Sequence, residues 1–281
     1  MKTYQVKSFA KINCALNVTG KMTRLHKIES IFCFISLHDI ITIKQIVSPE
    51  HKISYSGKFS KNIKSNNTVK RLFNILDKEK LIGNKKFQIK IKKNIPQQAG
   101  LGGGSMNAAS LLNFLIKKKY IKVNQKKITD ISKSIGSDVI LGVNPKNGIL
   151  TSDNNIKKFS NCEKFFILLV KPNFGCSTKT IYSGVKNFTR SKYNKPRQMM
   201  FNHKYLSYQI NALENIAFLK YPKLKKIKLL MEKLRNSLFV RMTGSGSVMV
   251  AYFNSKKDCD IAKAYFKRKF KNYWCNTSKT L

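Results

Sequence analysis

The sequence predicts an α+β fold in two domains. Strand-type patterns, with apolar residues at every second position, and helix-type patterns, with spacings of three and four, follow one another without regular alternation. That order disfavours a doubly wound parallel sheet. A chain of 281 residues, 42% of them hydrophobic, carries enough apolar material for two medium cores. The turn-rich run Ser152-Asp153-Asn154-Asn155 marks a break, so residues 1–155 and 156–281 are read as the two domains.

Taken in order, Ile12, Cys14, Leu16 and Val18 alternate with Lys11, Asn13, Ala15 and Asn17, which is a strand showing Lys11 and Asn13 on one face. Further strands are expected over 30–36, 40–46 and 51–55. Val69, Leu72, Phe73 and Leu76 form the stripe of a helix with Asn66 or Asn67 as N-cap. Phe87, Ile89 and Ile91 alternate with Gln88, Lys90 and Lys92, a strand that feeds a glycine-rich loop. A helix starting at Ser105 then shows Ala108, Leu111, Leu112 and Leu115 on one face, with Lys117 to Lys119 at its negative end. Another helix covers 124–134 and stops at Gly136. The second half reads as strand Phe165 to Val170, helices over 178–187, 204–219 and 223–236, and strand 238–242. The tight turn Thr243-Gly244-Ser245-Gly246, strand 247–253, helix 257–269 and a last strand complete it. Residues 186–204, basic and polar, are read as a mobile loop.

The net charge is +42, from 55 basic and 13 acidic residues. A nucleic-acid-binding protein is the reading that such a charge brings up first. Only seven of the basic residues are Arg, however, and the 48 Lys are scattered along a chain rich in Ile and Asn. Arg is the preferred base reader, so the scatter points to compositional bias, and nucleic acid stays an alternative of another class. The positive field attracts anionic small molecules. Cys14, Cys33, Cys162, Cys176, Cys259 and Cys275 show no C-x-x-C pair and no zinc spacing, so reduced, buried thiols are expected. Lys2, Lys7 and Lys11 interrupt any secretory pattern, and no apolar run reaches bilayer length. A cytoplasmic location without a membrane partner is expected.

The most informative stretch is Pro96-Gln97-Gln98-Ala99-Gly100-Leu101-Gly102-Gly103-Gly104-Ser105-Met106-Asn107. Glycine reaches φ > 0 cheaply, so such a run lets backbone N–H groups curl around an anion. The helix behind it adds its unpaired N–H groups and positive pole. The loop therefore reads as phosphate-binding. It lacks the Lys of a P-loop, and Ser105 stands at the third glycine position of a Rossmann fingerprint. Asn107 stands where a nucleophile elbow requires Gly.

The stretch from Pro96 to Ala109 resembles the second motif of the small-molecule kinases that include galactokinase, homoserine kinase and mevalonate kinase. Phe9-Ala-Lys-Ile-Asn-Cys-Ala-Leu-Asn-Val-Thr-Gly20, with His26 beyond, resembles their first motif, and Met242-Thr-Gly-Ser-Gly-Ser247 their third. Order and spacing fit across nearly the whole chain. The triple glycine followed by Asn107-Ala-Ala is most similar to the branch whose alcohol substrate carries a cytidine diphosphate group. A homoserine or mevalonate-type alcohol is the nearest alternative.

The resemblance implies a ribosomal-protein-S5-like N-terminal domain and a ferredoxin-like C-terminal domain. It implies ATP as cosubstrate, arriving with Mg²⁺, held by Pro96, Gln97, Gln98, Ala99, Gly100, Leu101, Gly102, Gly103, Gly104, Ser105 and Met106, with Asn67 near the adenosine. Asp138, in Ile135-Gly-Ser-Asp-Val-Ile-Leu-Gly142, would accept the proton of the attacking hydroxyl, and Lys11 would stabilise the developing charge. Read without the resemblance, Lys11 is a solvated strand residue, Asp138 a turn or cap residue, Asn67 a helix cap and Thr243 to Gly246 a hairpin turn. Asn13, His26, Tyr182, Thr243 and Gly244 would bind the substrate, and neutral His26 offers the donor and acceptor that a base edge needs. The family's Asp-Gly-Tyr-His reads Thr23-Arg24-Leu25-His26 here, which removes one aromatic from the base site, while Tyr182 falls at the opposing one. Met106 stands where the family often has Ser, and no protein ligand for a metal is assigned.

Overall fold

The computed structural model describes residues 2–23 and 25–281, so Arg24 lies outside the described residues. In chain order the elements are β1 (Thr3–Lys21), β2 (His26–Ile46), β3 (Lys52–Ser56), α1 (Thr68–Lys78), β4 (Lys86–Lys92), α2 (Gly103–Lys117), α3 (Gln125–Ile135), α4 (Val139–Gly142), β5 (Gly148–Leu150), β6 (Ile156–Lys158), β7 (Phe166–Lys171), α5 (Thr178–Tyr182), α6 (His203–Ser207), α7 (Glu214–Lys220), α8 (Pro222–Glu232), β8 (Phe239–Met242), β9 (Met249–Phe253), α9 (Lys256–Lys269) and β10 (Trp274–Lys279). No helix among the described residues is long and apolar enough to cross a membrane.

The α+β class is borne out, but the two compact units are not consecutive. One comprises Met1–Ala10, Leu37–Gln97 and Gly102–Pro145; the other comprises Lys11–Ser36, Gln98–Leu101 and Lys146–Leu281. This differs from a single cut at 155. The cause lies in β1 and β2, of 19 and 21 residues, each of which contributes one part to each unit. The expected strands 30–36 and 40–46 are both pieces of β2.

In the first unit, the second half of β2 pairs antiparallel with β4 (Ile41 opposite Ile91, Ile43 opposite Ile89), and β3 pairs parallel with β4. The period-two alternation sends Ile41, Ile43, Phe87, Ile89 and Ile91 to one face. There they meet Leu72 and Leu76 of α1, Leu111, Leu112 and Leu115 of α2, and Ile131 and Ile135 of α3. Asn67 caps α1 and Asn124 caps α3 through their side-chain oxygens.

In the second unit a four-stranded antiparallel sheet runs β10-β7-β9-β8. Leu224, Ile227 and Met231 of α8 and Cys259, Ala262 and Phe266 of α9 share a core with Leu168, Val170, Met249 and Ala251 of the sheet. The first half of β2 pairs with β5, and β5 pairs with β6 across the Ser152–Asn155 turn; these two three-residue strands were too short to read from alternation. The six cysteines are free and buried.

Two expectations for the second half are corrected. The helix expected over 204–219 is broken: Leu16 N–H donates to Ile210 O (3.0 Å) and Ala212 N–H to Leu16 O (2.8 Å), so pairing with β1 takes the backbone that a continuous helix would use. Residues 186–204 are fixed rather than mobile. Thr189 N–H donates to Val18 O (2.8 Å), and Lys192 and Tyr193 N–H donate to the carboxylate of Glu29 (2.8 and 3.0 Å). Tyr193 is fully buried. The polar composition concealed a segment held through its main chain.

Burial pushes the Lys158 ammonium down to about 8, with Nζ 5.0 Å from the Phe32 ring centre. Between that pH and the ordinary lysine value the unfolded chain holds a proton that the folded chain has released, so this residue makes stability rise with pH across the window. Lys158→Met should raise the Tm at pH 7 and flatten its rise between pH 8 and about 10. Melting curves of both proteins at matched ionic strength test this, and an unchanged Tm at pH 7 would contradict it.

Candidate active site

Within the second unit, three motifs far apart in sequence meet through short hydrogen bonds. Lys11 N–H donates to Leu101 O (3.0 Å), which fastens β1 to the glycine loop. Lys11 Nζ donates to Asn13 Oδ1 (3.0 Å), and Asn13 Nδ2 donates to Ser30 Oγ on β2 (2.7 Å). Asn13 N–H donates to Thr243 Oγ1 (3.0 Å), which in turn donates to Gly100 O (3.0 Å). Both Lys11 and Asn13 are 3% exposed, so the period-two face holds a buried polar pair and not a solvated one. Gly100 has φ +72°, and a Cβ there would lie 2.0 Å from Thr243 O. Only glycine permits this approach. Asn211 Nδ2 donates to Met242 O and Gly244 O (2.8 Å each), bracing the turn from both sides. Val248 N–H donates to Ala99 O (3.3 Å), and Gln98 O accepts from Cys176 and Ser247 N–H (3.4 Å each). Lys11, Asn13, Gln98 to Leu101, Thr243 and Gly244 are thus brought together.

Within the first unit, Gly102 (φ +67°) is the N-cap and α2 begins at Gly103, two residues earlier than expected. Its first-turn amides are therefore those of Gly103, Gly104 and Ser105, which have no intrahelical acceptor and stand at the positive pole of a 15-residue helix. Met106 contributes nothing further: its N–H donates to Gly102 O (2.9 Å) and its side chain is 1% exposed, packed against Gly142. Pro96 has no N–H, and the side chains of Pro96, Ala99 and Leu101 are buried. Gln97 Nε2 donates to Phe59 O and Lys61 O (2.9 and 2.8 Å), which anchors the loop entry.

Sequence reasoning missed the group that holds this region. Asp39, fully buried on β2, accepts from the main-chain N–H of Asn94 and Ile95 (2.7 and 2.9 Å) through Oδ1. Its Oδ2 accepts from Asn107 Nδ2 (3.0 Å) and from the Lys93 ammonium. Lys93 Nζ also donates to Asn107 Oδ1 (2.8 Å), and Asn107 Nδ2 to Ser8 Oγ (3.0 Å). One carboxylate therefore ties the strand end before the loop to the second turn of the helix after it. Burial lowers the Lys93 pKa, and the charge of Asp39 opposes that shift. The available signal was a lone acid in a strand pattern, close to Leu37, Ile40 and Ile41.

The other expected residues occupy these positions. Asn67 Oδ1 accepts from Val69 N–H, Lys70 N–H (3.1 Å each) and Tyr55 Oη–H (2.8 Å), so its oxygen is occupied by capping. Thr68 Oγ1 donates to Gly104 O (2.7 Å), which seats the start of α1 on the first turn of α2. Asp138, half-buried, opens α4 without capping it through its side chain. That helix packs on α2, where a Cβ on Gly142 would lie 2.6 Å from Ala109 Cβ. His26 and Tyr182 form a separate contact in the second unit, ring centres 5.3 Å apart. Among the described residues no group of three or more His, Cys, Asp or Glu is placed to hold a metal ion.

The sequence pattern of the GHMP kinases N terminal domain matches residues 67–148, and that of the GHMP kinases C terminal domain matches residues 185–272. The chain is 57% identical over its full length, and that of the relative, to the 4-diphosphocytidyl-2-C-methyl-D-erythritol kinase of Pelagibacter ubique. It is 31% identical to the kinase of that name from Anaplasma marginale, covering 98% of this chain and 96% of the relative. A crystal structure of 4-(cytidine 5'-diphospho)-2C-methyl-D-erythritol kinase superposes with a TM-score of 0.79 at 21% identity, covering 98% and 99% of the two chains. Homoserine kinase from Cytophaga hutchinsonii superposes at 0.73 with 12% identity, covering 100% of this chain and 95% of its own, a likeness of fold.

Removing one partner of a buried ion pair leaves the other uncompensated, at a cost of about 3–5 kcal/mol. Asp39→Ala should destabilise the fold by that amount, read as a lower urea midpoint at unchanged slope. Asp39→Ala combined with Lys93→Met should recover at least half of the loss. Equal losses in the single and double variants would show that the pair is not coupled.

Proposed function

This chain belongs to the GHMP kinase family, and from that premise we propose that it transfers the γ-phosphoryl group of ATP to the 2-hydroxyl of 4-diphosphocytidyl-2-C-methyl-D-erythritol, a step of the non-mevalonate isoprenoid route. The observation that carries the site assignment is the hydrogen-bonded chain Lys11–Asn13–Thr243–Gly100, because it supports a cation held against the loop that grips the nucleotide. The substrate assignment rests on full-length similarity to a relative bearing that name.

In this reading the amides of Gly103, Gly104 and Ser105 receive phosphate oxygens, and the helix pole behind them favours the negative charge. Asp138 accepts the proton of the 2-hydroxyl. The oxygen forms a bond to the γ-phosphorus while the bond to the β–γ bridging oxygen breaks, and ADP leaves with that electron pair. Lys11 offsets the charge that gathers on the transferring group, and Asn13 holds its ammonium in place. Little covalent chemistry falls to the protein, so the rate comes from position and electrostatics. Mg²⁺ is taken as part of the cosubstrate and no protein ligand is assigned to it. Asn67 acts through the start of α1, not by reading the nucleoside. His26 and Tyr182 contact the cytosine. We place the enzyme in the cytoplasm.

A coupled assay for ADP release with the cytidylyl substrate tests the reading. Wild type should turn over, and Asp138→Asn should lower kcat by roughly 10²–10⁴ with an unchanged melting profile. Lys11→Met should also lower kcat. Full activity in Asp138→Asn would remove that residue from the mechanism, and turnover of homoserine in place of the cytidylyl substrate would overturn the substrate.

A further inference from the structure

Phe188 stands in no motif, yet its ring centre lies 6.5 Å from that of His26, tilted by 53°. Tyr182 touches the same imidazole at 5.3 Å and 37°. Phe188 is 47% exposed, and His26 and Tyr182 are partly exposed, so three ring systems gather at one surface position.

The chain that carries Phe188 is held firmly. Thr189 donates twice to Val18 O, from N–H (2.8 Å) and from Oγ1 (3.1 Å). Three and four residues on, Lys192 and Tyr193 N–H donate to the two oxygens of Glu29. Glu29 sits on β2 three residues beyond His26, is fully buried, and also accepts from Asn17 Nδ2 (2.8 Å). Burying a carboxylate is unfavourable unless its oxygens are satisfied. Here main-chain amides of residues 192 and 193 supply most of that satisfaction, so the strand bearing His26 and the segment bearing Phe188 are locked in one register. An aromatic ring that is already placed loses little freedom when a flat ligand settles on it.

We propose that Phe188 is an aromatic contact for the cytosine of the substrate, complementing Tyr182 while His26 reads the base edge; this rests on the cytidylyl reading above. A pyrimidine has two π faces and one hydrogen-bonding edge, and stacking on an aromatic side chain is sequence-tolerant and strong enough to matter. Residue 25, where the aromatic of the related motif is absent, offers an aliphatic side chain 58% exposed. Phe188 supplies a π face from a different part of the chain, and Glu29 is its positioning residue.

CDP is the probe, with affinities measured by calorimetry on the full chain. Phe188→Ala should weaken CDP binding roughly tenfold, while Phe188→Trp retains it within about threefold. Both should leave the KM for ATP and the melting temperature unchanged. Tyr208→Ala, which removes a ring 85% exposed elsewhere, serves as the control and should bind as wild type does. Glu29→Gln should weaken CDP binding in the Phe188 background of wild type but not in Phe188→Ala. CDP affinity unchanged in Phe188→Ala would overturn the role of Phe188 and leave the kinase reading standing. A wild-type protein that neither binds CDP nor turns over the cytidylyl substrate would overturn that reading, and this inference with it.

Discussion

A carboxylate with no access to water must find enough donors to replace its hydration, and in this fold Asp39 meets that demand with groups from both sides of the glycine loop. Two of its donors are main-chain amides at the end of β4 and one is a side chain on the second turn of α2. The loop between them can be rich in glycine without being slack, because its entry and exit are fixed to the same anion. The Lys93 ammonium keeps the charge balanced and lies beside the first residue of α2, 3.5 Å from where a Cβ on Gly103 would stand. Exposed first-turn amides need such support, since nothing within the helix holds them.

The second unit reaches the same end with mostly neutral groups. Thr243 accepts from Asn13 N–H and donates to Gly100 O, so one hydroxyl joins the strand that carries Lys11 to the loop. The 2.0 Å approach at Gly100 explains why the loop tolerates no side chain there, a steric demand added to the conformational one. The two ends of the glycine loop and its middle thus rest on separate supports, one built on an ion pair and one on a hydroxyl.

Much of the fold was readable because its determinants are local. The stripe Val69, Leu72, Phe73 and Leu76, capped by Asn67, specifies α1 within a dozen residues. The alternation of Phe87, Ile89 and Ile91 does the same for β4. The motif residues Lys11, Asn13, Gly100 and Thr243 were legible as a set through resemblance, and the hydrogen bonds join them. What stayed hidden depends on partners remote in sequence. Asp39 looks like one acid among apolar neighbours until Asn107, 68 positions away, is known to face it. Glu29 likewise gives no hint that it organises residues 192 and 193. Helicity over 204–219 is locally plausible and is overridden by pairing of 210–212 with Leu16. The early start of α2 follows from a left-handed Gly102, a choice that glycine composition permits but does not dictate.

The interleaved division has a consequence for how the molecule is made. Within the second unit, Leu16 waits for Asn211, Ile35 bridges to Thr280, and Leu281 N–H donates to Phe34 O (3.0 Å). Leu16, Phe34 and Ile35 therefore receive these partners only after a long intervening stretch of chain has been made. Loop closure over such separations is slow compared with local helix formation. The later half of β1 gains its neighbours on β2 early, through Asn13 to Ser30 and Asn17 to Glu29, but not those supplied by the second half of the chain. A ribosome-bound chain stalled short of residue 280 would leave Phe34 and Ile35 without these native partners, and holding that edge is a task the sequence leaves to the cell.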